Sequence, residues 1–245
     1  MKKFGLIGYP LTHSFSEKYF AGKFRRESIK DCVYQNYPIK NIRELPGLIA
    51  DEPGLAGLNV TIPYKEAVLP FLDHVSGEAA EIGAVNTVRI REGKTEGFNT
   101  DVYGFTKALE PCLKPHHSKA LVLGSGGASK AVCFAFNRMG LDYSIVSRHP
   151  QKGVGMLGYE DLTGGLILQY TLIINTTPLG MFPDTDTFPP IPYDALTPQH
   201  LLFDLVYNPE ETLFMKKGKA QGAAVFNGLE MLKLQAERSW EIWNG

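Results

Sequence analysis

The chain has 245 residues, 44% of them hydrophobic and 21% charged, with a formal net charge of −1. That length holds one large or two ordinary domains with real cores, and the near-neutral balance without basic blocks argues against a nucleic-acid binder. The longest apolar stretch, 166–181, is broken by Gln169, Tyr170, Asn175 and Pro178, so no membrane span and no membrane partner is expected.

The N-terminus has too short an apolar run for a signal peptide and reads as a strand over 4–9. Ser14 with Glu17 three residues later is a capping-box spacing that opens a helix to about residue 28. A strand over 33–39 and a helix over 41–51 follow, with Asn41 as N-cap and Glu44 at its third position. Next come a strand over 55–62, a helix from 64 to about 73 and a short helix over 77–82. Segments 85–90 and 95–99 flank the turn Arg91-Glu92-Gly93-Lys94 and read as a hairpin. A helix over 102–113 ends in a loop marked by Pro111, Pro115, His116 and His117, and the two adjacent histidines lack the spacing that would let both face one metal.

A second α/β pattern starts at Lys119. It has a strand over 120–123, a glycine turn, a helix over 129–139 ended by Gly140, and a strand over 143–146. Further strands are expected over 172–175, 201–205 and 224–226, with a helix near 211–221. The last segment, 228–240, places Leu229, Leu232, Ala236 and Trp240 on one stripe of a helix. The fold class is therefore α/β, with mostly parallel sheets and an antiparallel edge in the first. Cys32, Cys112 and Cys133 are odd in number and far apart, without a C-x-x-C pair, so neither a disulfide framework nor a metal site is expected and a cytoplasmic setting is.

Three signals carry chemistry. The first is Asn59-Val60-Thr61-Ile62-Pro63-Tyr64-Lys65, where alternation puts Asn59 and Thr61 on one face of a strand and Lys65 just past its end. Taken alone, Lys65 also reads as a solvated lysine in a first helical turn. The second is Gly124, Ser125, Gly126, Gly127 and Ala128 between strand and helix, a turn that lets backbone approach a pyrophosphate at a helix N-terminus. Ser129 takes the third glycine position, which weakens the motif. After the next strand, where an acidic residue would favour NAD, stand Ser147, Arg148 and His149, with Lys152 beyond; an arginine fork suits a 2′-phosphate and hence NADP(H). The third is a set of small hydrogen-bonding residues at strand ends: Ser14, Ser16, Asn59, Thr61, Asn86, Thr87, Asn99 and Thr100, with Lys65 and Asp101. That composition suits a polyhydroxylated carboxylic acid and supplies an acid–base group.

These motifs, in this order, resemble the shikimate dehydrogenases nearly end to end. The likeness is carried by His13-Ser14-Phe15-Ser16, the stretch Asn59 to Glu66, Gly83-Ala84-Val85-Asn86-Thr87, Asn99-Thr100-Asp101, the glycine turn through Ala131, Asn175-Thr176-Thr177-Pro178-Leu179-Gly180-Met181, and Asn227-Gly228-Leu229-Glu230-Met231-Leu232 with Gln235. The resemblance implies a substrate-binding domain over 1–101 plus 228–245, a Rossmann-like NADP-binding domain over 102–227, and a cleft between them. It implies that Lys65 is the acid–base group, paired with Asp101. Ser14, Ser16 and Tyr207 would take the carboxylate of shikimate or 3-dehydroshikimate, and Asn59, Thr61, Asn86 and Gln235 its ring hydroxyls. Thr176, Leu205, Gly228 and Met231 would join the glycine turn, Ser147, Arg148 and Lys152 around NADP(H). A monomer or homodimer is expected.

The chain departs from the family pattern at Glu17, Val102, Ser147 and Glu230. It is also short after Arg148, where a crossover helix is expected to be missing or reduced to a turn, since a parallel crossover normally takes a dozen residues or more. Among enzymes, the same features fit a relative acting on quinate or using NAD. A folate-dehydrogenase-like enzyme would need residues other than the Ser14/Ser16 pair. A non-catalytic relative would have no need for both Lys65 and Asp101.

Overall fold

The computed structural model describes residues 1–11, 15–150 and 155–245. The chain divides into two compact units, Met1–Thr100 with Gln235–Gly245, and Asp101–Leu234.

The first unit is an α/β sheet of six strands among the described residues. They are β1 (Lys2–Gly8), β2 (Cys32–Pro38), β3 (Leu55–Val60), β4 (His74–Val75), β5 (Thr87–Arg91) and β6 (Lys94–Phe98), in the order β2-β1-β3-β5-β6-β4. β1 pairs in parallel with β2 and β3, and the hairpin β5–β6 adds on antiparallel to β3. β1 is buried almost throughout, as a central parallel strand covered on both faces must be. Alternation sorts the strand residues. Ile7, Tyr37, Leu58, Val60 and Val88 join Leu45 of α2 (Leu45–Asp51) and Ala79 of α3 (Gly77–Ile82) on one face. Phe4, Leu6 and Tyr34 face α1 (Phe15–Arg26) on the other, where Phe20, Trp240 and Trp243 complete an aromatic core. Phe4 stacks on Trp243 at 4.8 Å and Phe20 on Tyr34 at 4.5 Å.

Two helices differ from expectation for one reason. The helix over 41–51 begins as a 3-10 turn, Ile42–Glu44, and becomes α-helical only at Leu45. Pro46 has no N–H to bond the Ile42 carbonyl, so the first turn closes differently. The Asn41/Glu44 capping box is nonetheless present, with Asn41 N donating to Glu44 at 2.8 Å. The helix expected from 64 to 73 does not form. Turns lead instead to a 3-10 segment, Leu69–Phe71, and to β4, a two-residue edge strand parallel to β6. Pro70 sits in the middle of that span, removes a donor and disfavours helical backbone before it.

The second unit carries a wholly parallel sheet of six strands among its described residues. It consists of β7 (Lys119–Leu123), β8 (Asp142–Ser147), β9 (Met156–Gly158), β10 (Leu172–Asn175), β11 (Leu201–Asp204) and β12 (Ala224–Asn227), in the order β12-β11-β10-β7-β8-β9. Its helices are α4 (Asp101–Leu109), α5 (Gly127–Met139), α6 (Gly164–Ile167) and α7 (Leu213–Ala220). The last helix, α8 (Leu229–Asn244), begins in this unit and ends in the first. α4 stops before a 3-10 segment, Glu110–Cys112, that contains Pro111. The edge strand β9 begins at Met156-Leu157, where the shortened crossover after Arg148 leads to the next strand. It pairs with the last three residues of β8, from Ile145↔Met156 to Ser147↔Gly158, so the chain needs to return only a short way. Residues 148–150 carry no helix; 151–154, where the rest of the shortened crossover falls, lie outside the described residues. No helix among the described residues is long and apolar enough to cross a membrane.

Candidate substrate and nucleotide sites

In the first unit, Asn59 lies between the buried Leu58 and Val60 and so points to the opposite face, towards α8. Its Oδ1 accepts from the Tyr34 hydroxyl at 2.8 Å, and its Nδ2 reaches Ser239 Oγ at 3.0 Å and Thr87 Oγ1 and the Asn86 carbonyl at 3.3 Å. Asn86 Oδ1 accepts from Thr100 N at 2.7 Å, and Asn86 Nδ2 donates to Thr100 Oγ1 at 3.0 Å. Thr100 Oγ1 lies 3.4 Å from Gln235 Oε1, and Ser239 Oγ donates to the Gln235 carbonyl at 2.9 Å. Asn59, Asn86 and Gln235, expected at the substrate on the strength of resemblance, are thus joined in one buried polar network. Buried polar groups are costly unless bonded, and here they bond one another.

Ser16 is buried in the first turn of α1, beside the Tyr34 hydroxyl as a hydrogen-bond partner. Ser14 lies outside the described residues. Glu17, expected to cap α1 with Ser14, accepts from Asn36 Nδ2 at 2.6 Å. Thr61 follows β3 and is half-buried, its N–H bonded to the Ile7 carbonyl at 3.0 Å. Lys65, also half-buried, is anchored through its own carbonyl, which accepts from Val85 N at 2.7 Å. Asp101 is buried as the first residue of α4, where a carboxylate meets the positive end of the helix dipole, and it follows Thr100 directly.

In the second unit the turn after β7 depends on close backbone approach. Gly124 has φ +113°, and a Cβ there would fall 2.6 Å from Thr176 Oγ1. Thr176 is held by its N–H and hydroxyl on the Leu123 carbonyl, at 2.9 and 2.7 Å. Gly124 and Thr176, both expected at the cofactor, are therefore adjacent. Gly126 is the N-cap of α5 and supplies no side-chain cap, so the first amides of Gly127, Ala128 and the buried Ser129 are not satisfied by that route. Ser147 Oγ lies 3.4 Å from Ser125 Oγ and accepts from His149 N at 3.2 Å, which ties the end of β8 to the glycine turn. Arg148 is exposed, and its charge acts on Tyr159; Lys152 lies outside the described residues. Gly228 packs against Leu205, where a Cβ would meet the Leu205 carbonyl oxygen at 2.2 Å. Met231 is buried on α8, and burial raises the Tyr207 phenol.

Sequence reasoning overlooked three residues. Tyr34 and Ser239 both hold Asn59; Ser239 stands four residues after Gln235 on α8, a spacing that puts both on one helix face and was legible. Asp204 is fully buried at the end of β11. Burial pushes its carboxyl up to about 6, against hydrogen bonds from Thr212, Val206 N and Asn175. It accepts from Thr212 Oγ1 at 2.6 Å and Asn175 Nδ2 at 2.9 Å, bracing the strand ends that carry Thr176 and Leu205. His116 and His117 converge on a single carbonyl, that of Gln199, at 3.1 and 3.2 Å.

Comparison with known proteins agrees with this arrangement. Residues 6–88 match the family described as shikimate dehydrogenase substrate binding domain. A shikimate dehydrogenase (NADP(+)) of Desulforamulus reducens is 34% identical, with 98% of this chain and 89% of the relative covered. The crystal structure of shikimate 5-dehydrogenase from Thermus thermophilus in complex with NADP(H) and shikimate is 35% identical, with a TM-score of 0.89 over 100% of this chain and 94% of that one. Quinate dehydrogenase from Corynebacterium glutamicum in complex with NAD is 29% identical, with a TM-score of 0.88 over the same shares. With its two α/β units, its glycine turn and likeness over the full length, the chain belongs to the shikimate dehydrogenase family.

Proposed function

We propose that the protein interconverts 3-dehydroshikimate and shikimate with NADP(H). The observation that carries this reading is the single buried network joining Asn59, Asn86, Thr100 and Gln235, a set of directional donors and acceptors suited to a ring bearing several hydroxyls. Ser14, Ser16 and Tyr207 receive the carboxylate; Asn59, Thr61, Asn86 and Gln235 receive the hydroxyls. In the reductive direction Lys65 Nζ donates a proton to the ketone oxygen as charge grows there, and Asp101 orients the ammonium.

The second unit fits a dinucleotide phosphate. Gly124 leaves the space a side chain would fill, and the start of α5 has no side-chain cap. Gly124, Ser125, Gly126, Gly127 and Ala128 would hold the pyrophosphate, with Thr176 beneath. Ser147, Arg148 and Lys152 would hold the 2′-phosphate, and Leu205, Gly228 and Met231 would flank the nicotinamide. When bound, the nucleotide supplies or accepts the hydride. The protein works in the cytoplasm as a monomer or homodimer, without a nucleic-acid partner.

The test is oxidation of shikimate with NADP+, followed by absorbance of the reduced nucleotide, with quinate and NAD+ as parallel arms. Turnover of shikimate with NADP+ well above the other three combinations is expected. Preference for quinate with NAD+ would assign the protein to the activity named for the Corynebacterium neighbour instead.

A further inference from the structure

Asn59 has a countable hydrogen-bonding capacity: two lone pairs on Oδ1 and two hydrogens on Nδ2. Ser239 commits its proton to the Gln235 carbonyl at 2.9 Å, one turn back along α8, as a buried helical serine commonly does. Towards Asn59 it can therefore only accept, and Nδ2 donates to it at 3.0 Å. Nδ2 also has the Thr87 hydroxyl and the Asn86 carbonyl at 3.3 Å, so both hydrogens are used within the protein. Oδ1 then faces Tyr34, whose hydroxyl donates at 2.8 Å. Burial holds the Tyr34 phenol far above its usual range, so this donor keeps its proton. Among the described residues, one acceptor site on Oδ1 is left over.

We propose that Tyr34 and Ser239 are positioning residues that lock the Asn59 carboxamide with its oxygen towards Tyr34, so that Asn59 meets the substrate only as an acceptor from a ring hydroxyl. This rests on the reading that Asn59 faces a polyhydroxylated substrate, and adds the direction of the bond and the residues that impose it. The Tyr34 hydroxyl also lies beside Ser16, so one phenol braces groups assigned to both the carboxylate and the hydroxyl ends of the ligand.

The experiment is steady-state kinetics of shikimate oxidation by the full chain carrying Tyr34→Phe or Ser239→Ala. Tyr34→Phe deletes only the hydroxyl and keeps the ring stacked on Phe20. It should raise the shikimate KM about tenfold, the effect of one well-placed hydrogen bond, while kcat stays within about twofold and the NADP+ KM is unchanged. Ser239→Ala should raise the shikimate KM about threefold, because the Thr87 and Asn86 acceptors remain to Nδ2. A third arm puts fluorine, which accepts but does not donate, in place of each shikimate ring hydroxyl in turn, other than the one oxidised. One such analogue should lose about tenfold in kcat/KM with the wild type. A folded Tyr34→Phe protein with an unchanged shikimate KM, or one whose kcat and NADP+ KM change along with it, would overturn the positioning role. If Tyr34→Phe does not fold, Ser239→Ala decides by the same separation of constants. A wild-type protein that does not oxidise shikimate at all overturns the assigned function first, and the positioning role with it.

Discussion

In the unit Met1–Thr100 with Gln235–Gly245, the candidate site is a set of side chains that bond one another. In Asp101–Leu234 it is a set of close backbone approaches that glycine permits. The ligands proposed for the two sites account for the difference. A ring with several hydroxyls and a carboxylate needs donors and acceptors in different directions, and only side chains from several elements supply them. Here those elements are β2, β3, α8 and the segment leading into α4. A phosphate offers equivalent oxygens and is satisfied by amides and the positive end of a helix. Substitution in the first unit should therefore remove a specific interaction, while substitution in the second should act through space and backbone conformation.

The largest effect is expected at Lys65, where chemistry and not binding is at stake. Lys65→Ala should lower kcat for shikimate oxidation by about a thousandfold or more, with only a modest change in shikimate KM. The backbone hydrogen bond from Val85 to the Lys65 carbonyl survives the change, so the protein should remain folded. A variant that keeps near-normal kcat would remove Lys65 from the reaction and leave the first site as a binding surface only.

Asp204 breaks the simple contrast, because the second unit has its own buried side-chain network beneath the backbone site. Its carboxyl is raised from the ordinary 3.8 to about 6, chiefly by burial. A raised carboxyl means that the folded protein holds its proton more tightly than the unfolded chain. The resulting stabilisation is present in full below about pH 4 and is lost as the pH rises through about 6, a swing of order 3 kcal/mol at most. Asp204→Asn should flatten this dependence. Thermal denaturation of both proteins between pH 4 and 7 measures it; parallel curves would show that Asp204 titrates alike in folded and unfolded chains.

At Gly124 the second unit's own logic is tested. An alanine would be forced to φ +113° and against Thr176 Oγ1, a strain of about 1–3 kcal/mol. Gly124→Ala should raise the NADP+ KM about tenfold or more while shikimate KM changes little. Adding Thr176→Ala removes the contact but not the unfavourable backbone. Partial recovery in the double variant would assign the effect to crowding, and no recovery would assign it to φ.

How much of this was legible in the sequence follows the same divide. Local devices were readable: the Asn41/Glu44 box, the glycine turn, Gly140 ending α5, and the alternation that turns Asn59 away from Leu58 and Val60. The helix expected from 64 was not, because the cost of Pro70 outweighed an otherwise tolerable run. β4 was invisible: a strand of two residues exists only because β6 pairs with it. The bond between Tyr34 and Asn59 joins residues 25 apart and depends on β1 lying between their strands, a fact of sheet order.

The smallest effect should fall on Arg148, an exposed side chain assigned to the second site. In the proposed site, backbone approach by Gly124 and the amides of α5 would serve the pyrophosphate common to both nucleotides, and so would not separate NADP from NAD. Selectivity must come from the end of β8 and the segment after it, where Ser147 is fixed by its bonds and Arg148 stands in solvent. A guanidinium–phosphate bond is worth about 1.5–3 kcal/mol when well formed, and exposure and salt place this one at the lower end. Arg148→Ala should thus raise the NADPH KM about tenfold and leave the NADH KM unaltered. The NADPH effect should shrink as ionic strength rises. Equal changes for the two nucleotides would mean that Arg148 supports the loop and does not meet the 2′-phosphate, and that discrimination lies elsewhere in the segment after β8.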